Sequence, residues 1–198
     1  MLDTLIEEAN FVCLDTETTG LDPIRGGRIC EVAVLGSKGA KRVEAYSTLL
    51  NPQVLITPEV SAIHGITNDM VRNSPTFEAF APRLLTSLQG SVLVCHNADF
   101  DTAFLRSEFE RIGLKMPDVF ILDTLKFARC NGNFSKNRLG VIAKELGISN
   151  DGWHRAMADT IMTERIFYYF INKFKRFGAR TIGDLSDFQK NKVCKNAA

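Results

Sequence analysis

The fold is decided by the stretch Phe11-Val12-Cys13-Leu14-Asp15-Thr16-Glu17-Thr18-Thr19-Gly20, an apolar run that ends in two acids. The run is short and continuous, which predicts a strand buried on both faces. Side chains alternate along a strand, so Asp15 and Glu17 share one face and lie roughly 6.5 to 7 Å apart along the chain. Two such carboxylates repel each other and lose hydration, so they need a cation or a basic side chain nearby. The stretch therefore predicts a divalent-metal site, with an ordinary turn or helix cap as the alternative.

The length and composition of the chain indicate one domain with a short appendage. The chain has 198 residues, of which 45% are hydrophobic and 24% are charged, as in an ordinary soluble protein. We expect the domain to cover residues 1–177 and a basic tail, disordered or docking a partner, to cover residues 178–198. No apolar run has the length of a membrane span and the first residues lack the basic start of a secretion signal, so a cytoplasmic location is expected.

Charge and cysteine content narrow the classes of function. The net charge of +1 provides no global field that would attract nucleic acid. Basic residues are concentrated at 126–144 and 173–195, and each stretch could follow a phosphate backbone or form an ordinary solvated surface. The five cysteines are odd in number and contain no C-x-x-C pair, which predicts reduced core residues and neither zinc ligands nor disulfides.

The periodicity of the remaining chain predicts alternating strands and helices. The predicted strands are 11–17, 29–35, 42–50, 91–96 and 119–123. The predicted helices are 77–88, 99–112, 124–130, 139–146 and 155–175, and segment 51–74 is expected to be irregular with a short helix at its end. A loop of that length inside a domain is usually functional. This order predicts an α/β fold whose mixed five-stranded sheet has three antiparallel strands followed by parallel ones and is flanked by helices.

Two further acids stand at the head of apolar stripes on predicted helices. Asp101 lies in register with Phe104 and Leu105, and Asp159 lies in register with Ile166. An acid on the core side of a helix is buried at a cost, which favours a functional role, although capping of the first helical turn is the alternative.

A histidine precedes the second of these acids. His154 lies five positions before Asp159, about 140° around an ideal helix, so it belongs to the loop that enters the helix. The pKa of a histidine lies near working pH, so a histidine beside a metal site suits proton transfer, and a structural role is the alternative.

Three ordered segments resemble the exonuclease motifs of the DEDD superfamily, in its DEDDh branch. They are Leu14-Asp15-Thr16-Glu17-Thr18-Thr19-Gly20, His96-Asn97-Ala98-Asp99-Phe100-Asp101 and His154-Arg155-Ala156-Met157-Ala158-Asp159. The segment 58–66 is similar to one typical of the proofreading epsilon subunit of bacterial DNA polymerase III. The resemblance covers roughly residues 11–174 and implies a ribonuclease H-like fold.

The resemblance implies a 3′–5′ exonuclease that uses two Mg²⁺ or Mn²⁺ ions and releases nucleoside monophosphates from the 3′ end of DNA. It assigns metal binding to Asp15, Glu17, Asp101 and Asp159, and the role of general base to His154. It further implies that a terminal-nucleotide pocket is lined by Thr18, Leu21, Ile63, His64, Asn97 and Phe100. A single-stranded 3′ end and a separate DNA polymerase subunit for proofreading are the implied partners. The alternatives are an exoribonuclease that trims RNA ends and a non-catalytic module that binds nucleic acid or polymerase.

Overall fold

The computed structural model describes residues 1–149 and 154–191, which form a five-stranded sheet with helices on both faces. The strands are β1 (Asn10–Thr18), β2 (Ile29–Lys38), β3 (Lys41–Leu49), β4 (Val92–Cys95) and β5 (Phe120–Asp123). Their order across the sheet is β3-β2-β1-β4-β5. The pairs β1–β2 and β2–β3 are antiparallel, whereas β1–β4 and β4–β5 are parallel. The predicted α/β class and mixed sheet are confirmed.

Eight helices connect and cover the strands within the described ranges. They are α1 (Pro58–His64), α2 (Asn68–Val71), α3 (Phe77–Leu88), α4 (Ala98–Arg111), α5 (Thr124–Asn131), α6 (Leu139–Glu145), α7 (Ala156–Lys175) and α8 (Ile182–Phe188). Segment 51–74 therefore contains two short helices where one was expected. Pro58 begins the first of them, and the Thr67 side chain caps the second. None of the helices described combines the length and apolarity that crossing a membrane requires.

The two faces of the sheet carry separate hydrophobic cores. Phe11 and Cys13 of β1 pack with Phe167 and other residues of α7, together with α5, α6 and α8. Val12 and Leu14 point the other way and pack with α3 and α4. The buried cysteines in these layers are free, as predicted from their spacing, and Cys194 lies outside the described residues.

The alternation of side chains along β1 decides which of its residues face the helices on each side of the sheet. Asp15 and Glu17 continue the face of Phe11 and Cys13, which α7 covers, whereas Thr16 continues the opposite face, which α4 covers. The first turn of α7 and the first turn of α4 thus reach the end of β1 from opposite sides.

The expectation of a separate tail is wrong for residues 178–191. Helix α8 begins with a capping box at Thr181, and both Ile182 and Leu185 are fully buried in the core beneath α7. Phe188 stacks on Phe174 with ring centroids 4.5 Å apart. The three apolar residues recur every third position and form one helical face, which is enough to bind the segment to the domain. Residues 192–198 lie outside the described part of the chain.

Candidate active site

Three carboxylates converge at the end of β1. Asp15, Glu17 and Asp159 each offer one oxygen, and these oxygens all lie within 4.8 Å of one another. Asp15 and Glu17 are half-buried, and Asp159, in the first turn of α7, is buried. The predicted sharing of one strand face by Asp15 and Glu17 therefore brings both beneath the helix that carries Asp159.

Asp101 reaches the same strand end from the opposite face of the sheet. It is 3% exposed, and its Oδ1 accepts hydrogen bonds from the Thr16 backbone N–H at 3.0 Å and from the Thr16 hydroxyl at 2.8 Å. Asp101 is not part of the three-oxygen group described above. The negative charge of Asp101 nevertheless contributes to the raised pKa of Asp15. Asp99, by contrast, is exposed and pairs with Lys126 at 3.6 Å.

Burial raises the pKa values of all four acids, and the charges of the other acids add to this rise for Asp15 and Glu17. Removal from water raises the pKa of Glu17 to about 8, and the charge of Asp159 adds to the effect. Burial also raises the pKa of Asp101 to about 7, although the hydrogen bonds from Thr16 oppose it. The pKa of Asp159 rises to about 7 because of burial, and a backbone hydrogen bond from His154 partly offsets this rise. The pKa of Asp15 lies well above its usual range because of burial and the surrounding carboxylates. Without a cation, this site holds protons at neutral pH.

The donor set fits a hard divalent cation. The Asp159 Oδ1 atom is buried and has no hydrogen-bond partner among the described residues, so one acid oxygen is desolvated without compensation. The three grouped ligands are all carboxylates, the ligands that Mg²⁺ and Mn²⁺ prefer. A cation at this position would compensate the buried oxygen and lower the four pKa values together.

His154 lies at the entrance to α7 and is exposed. Its φ of +65° is in the left-handed region, which is costly for a residue with a side chain and often accompanies a functional constraint. Its backbone hydrogen-bonds to the Asp159 carboxylate, so His154 is tied to the acidic group through the main chain. The predicted loop position of His154 is confirmed.

The six residues predicted to contact the terminal nucleotide have different environments. The side chains of Leu21 and Ile63 are 88% and 59% exposed. Thr18 is buried and its hydroxyl donates to the Gly20 carbonyl at 2.6 Å. Asn97 is exposed in a left-handed conformation just before α4, and Phe100 is half-buried against Phe104.

His64, the sixth of these residues, is the last residue of α1 and is buried. Its Nδ1 accepts a hydrogen bond from the Ile66 backbone N–H at 3.0 Å, and its Nε2 lies 3.9 Å from the Cys30 sulfur. Burial lowers the pKa of His64, which favours a neutral ring. Direct contact with a nucleotide remains a prediction for all six residues. The contacts that His64 makes in the structure, with Ile66 and Cys30, are those of a packing residue.

Sequence reasoning missed an ion pair that holds the entrance of α7. Glu31 of β2 is 3% exposed, and its carboxylate accepts hydrogen bonds from the guanidinium of Arg155. Burial would raise the pKa of Glu31, but hydrogen bonds from Arg155, Ala156 and Ser47 hold it below its usual value. A single acid inside the apolar run of β2 was the signal that could have revealed this pair.

The sequence profile of the exonuclease family RNase_T matches residues 12–167. The chain is 32% identical over 181 residues to a Bacillus subtilis protein named 3′-5′ exonuclease DinG, a match that spans 91% of this chain and 19% of that protein. It is 36% identical over 188 residues to a Rhodobacter capsulatus DNA polymerase III subunit epsilon-like protein, over 92% of this chain and 27% of that protein. The chain thus spans only a small share of the length of these relatives.

Among solved structures, the chain resembles Escherichia coli exonuclease I in complex with a dT13 oligonucleotide. The two superpose with a TM-score of 0.76 at 22% identity, over 86% of this chain and 42% of the other. At that identity the likeness establishes the fold, and it agrees with the predicted ribonuclease H-like architecture.

Proposed function

The chain belongs to the exonuclease family RNase_T, and from that membership we propose that it hydrolyses nucleic acid as a metal-dependent 3′–5′ exonuclease that releases nucleoside monophosphates from the 3′ end of DNA. The observation that carries this proposal is the group of Asp15, Glu17 and Asp159 oxygens within 4.8 Å of one another. A cluster of buried acids repels a phosphate unless cations are bound, so it favours phosphodiester chemistry over simple nucleic-acid binding.

We assign cation binding to the four acids. Asp15, Glu17 and Asp159 would hold one ion, and Asp101, which hydrogen-bonds to Thr16, would complete a second position. Two Mg²⁺ or Mn²⁺ ions, when bound, would lower the pKa of the attacking water and neutralise charge on the scissile phosphate. The acids must lose their protons on binding, and because their pKa values are raised, this loss becomes easy only as pH rises through neutrality.

His154 is the proposed general base. It is exposed at the entrance of α7, where its ring would have access to a water molecule. Its backbone contact with Asp159 keeps this entrance next to the acids while the side chain remains accessible. A neutral imidazole would take the proton of the attacking water and later release it to solvent.

The 3′ end of the nucleic acid would be held by residues around the mouth of the active site. Leu21 and Ile63 expose apolar side chains, which suits stacking against the terminal base, and Asn97 exposes an amide just before the helix of Asp101. The likeness to an epsilon-like protein supports DNA as substrate and proofreading as the setting, with a separate polymerase subunit as partner.

The test compares matched DNA and RNA single strands that carry a 5′ label. We expect shortening by one nucleotide at a time from the 3′ end, dependent on Mg²⁺ or Mn²⁺ and abolished by EDTA and by Asp15→Ala. His154→Ala should slow the reaction by roughly 10² to 10⁴-fold, the usual contribution of a general base. Asp99→Ala is the control, because Asp99 is an exposed acid of α4, the helix of Asp101, and lies outside the acidic group. Shortening from the 5′ end would refute the polarity, and faster digestion of RNA would refute the preference for DNA.

A further inference from the structure

A groove of about 650 Å³ lies beside the candidate active site, and apart from Asn97 none of its lining residues has an assigned role. Its lining residues are His96, Asn97, Leu125, Arg129, Lys136, Asn137, Arg138 and Leu139. Three of them are cations, and none of them is an acid. Arg129, Lys136 and Arg138 are all exposed.

Within the part of the chain that the structure describes, the cations of the groove have no ionic partner. Arg129, Lys136 and Arg138 form no ion pair with any acid in residues 1–149 and 154–191. The acid nearest in sequence to Asn97, Asp99, is paired with Lys126 at 3.6 Å. The groove therefore presents a positive surface in a chain whose net charge is only +1.

His96 fixes the groove against the sheet. It directly follows β4, its Nδ1 lies 2.9 Å from the Thr124 hydroxyl, and its Nε2 lies 3.0 Å from the Asn137 carbonyl oxygen. Burial lowers the pKa of His96, so the ring is neutral, and the proton must be on Nε2 to donate to the carbonyl. This pair of contacts holds the segment that carries Lys136 and Arg138 at the carboxyl end of β4.

The carboxyl end of β4 is followed by α4, the helix that carries Asp101. Asn97, which lines the groove, precedes α4, and Asp101 follows four residues later, about one helical turn or roughly 6 Å along the axis. A nucleic-acid strand whose terminal phosphodiester lies at the acids would therefore have its next phosphates within reach of the groove. Arginine and lysine are suited to such phosphates, and the apolar Leu125 and Leu139 can contact sugar or base.

We propose that this groove binds the phosphodiester backbone of a single strand, at the nucleotides that precede the terminal one. The proposal rests on the exonuclease function proposed above and adds a binding site next to the terminal-nucleotide pocket, with Asn97 at their border. It predicts that the groove contributes to the affinity for an oligonucleotide but not to the hydrolysis of a substrate with only one nucleotide.

The experiment compares two substrates on the full chain. One is the p-nitrophenyl ester of thymidine 5′-monophosphate, which occupies only the terminal position, and the other is a single-stranded oligonucleotide long enough to cross the groove. The test variant is Lys136→Ala with Arg138→Ala. The matched control is Lys115→Ala with Lys144→Ala, two exposed lysines that do not line the groove. Thermal melting confirms that each variant is folded.

We expect the groove variant to raise KM for the oligonucleotide by about tenfold or more, the effect of losing roughly 1.4 kcal/mol of binding. The ester should be hydrolysed at an unchanged rate, and the control should resemble the parent on both substrates. In an Asp15→Asn background, which prevents cleavage, the slope of log affinity against log salt should fall by roughly 0.7 for each phosphate that the groove variant no longer neutralises. An unchanged KM for the oligonucleotide would refute the groove, as would an equal loss on both substrates. Failure of the parent protein to hydrolyse either substrate would instead refute the proposed function.

Discussion

Arg155 donates two hydrogen bonds to the Glu31 carboxylate, from Nη2 to Oε1 at 2.8 Å and from Nε to Oε2 at 3.1 Å. The Ala156 backbone N–H adds a third bond, to Oε2 at 3.1 Å. The pair joins β2 to the residue that directly follows His154 and lies four positions before Asp159. It therefore fixes the start of α7, on which the position of both proposed functional residues depends.

Arg155→Ala is expected to weaken the acidic site without removing any proposed ligand. Glu31 would remain buried without its ionic partner, and the entrance of α7 would lose two of its bonds to β2. We expect the Mg²⁺ concentration for half-maximal activity to rise and kcat to fall, each by roughly 10 to 100-fold, as for residues that orient metal ligands. Titration of activity with Mg²⁺ measures both effects.

Arg42→Ala is the matched control for Arg155→Ala. Arg42 forms an equivalent pair with Glu164, on the same helix but farther along it than Asp159. Loss of this pair should lower stability and leave the Mg²⁺ dependence unchanged. If both variants shift the Mg²⁺ dependence equally, the Glu31–Arg155 pair has only a general stabilising role.

Asp101→Asn should remove one of the two proposed metal positions and leave the other. The amide oxygen of asparagine can still accept the hydrogen bonds from Thr16, so the change removes charge and keeps the local contacts. Because Asp101 is outside the three-oxygen group, one Mn²⁺ should still bind at Asp15, Glu17 and Asp159 while the second is lost. Calorimetric titration of the parent and the variant with Mn²⁺ gives the number of ions. Two ions in the variant would contradict the assignment of Asp101 as a ligand.

The sequence could predict the part of the site that depends on local periodicity. Alternation along β1 placed Asp15 and Glu17 on one face, and helical spacing placed Asp159 on the buried side of α7. It could not show that Asp101 approaches from the opposite face, because that depends on how the helices are layered on the sheet. The Glu31–Arg155 pair joins residues 124 positions apart, a distance over which no local pattern carries information.

Leu185→Ala should destabilise the domain, because α8 is part of the core. The side chain of Leu185 is fully buried beneath α7, and its truncation would leave a cavity. We expect the free energy of unfolding to fall by about 2 to 5 kcal/mol, the usual cost of removing a buried leucine side chain. Asp187→Ala, at an exposed position of the same helix, should change it by less than about 0.5 kcal/mol. Urea denaturation measures both values, and an equally small effect of the two changes would mean that α8 is not bound to the core in solution.

The metal-free protein should lose stability as pH rises through neutrality. The folded-state pKa is about 8 for Glu17 and about 7 for Asp101 and Asp159, against ordinary values of 4.5 for Glu and 3.8 for Asp. Between the ordinary and the folded values, the folded protein retains protons that the unfolded chain has released. The free energy of unfolding must therefore decrease with increasing pH. The stabilisation is complete below the unfolded values and is lost as pH rises through the folded ones.

Thermal melting in EDTA should accordingly give a midpoint that falls steadily between about pH 5 and about pH 8. Mg²⁺ should raise the midpoint most at the upper end of this range, where the acids release protons to the ion most easily. Asp159→Asn should flatten the fall in EDTA and reduce the gain with Mg²⁺, because it removes one of the repelling charges and one ligand. A midpoint in EDTA that rises from about pH 6 to about pH 8 would show that the four acids are not held together in the folded protein.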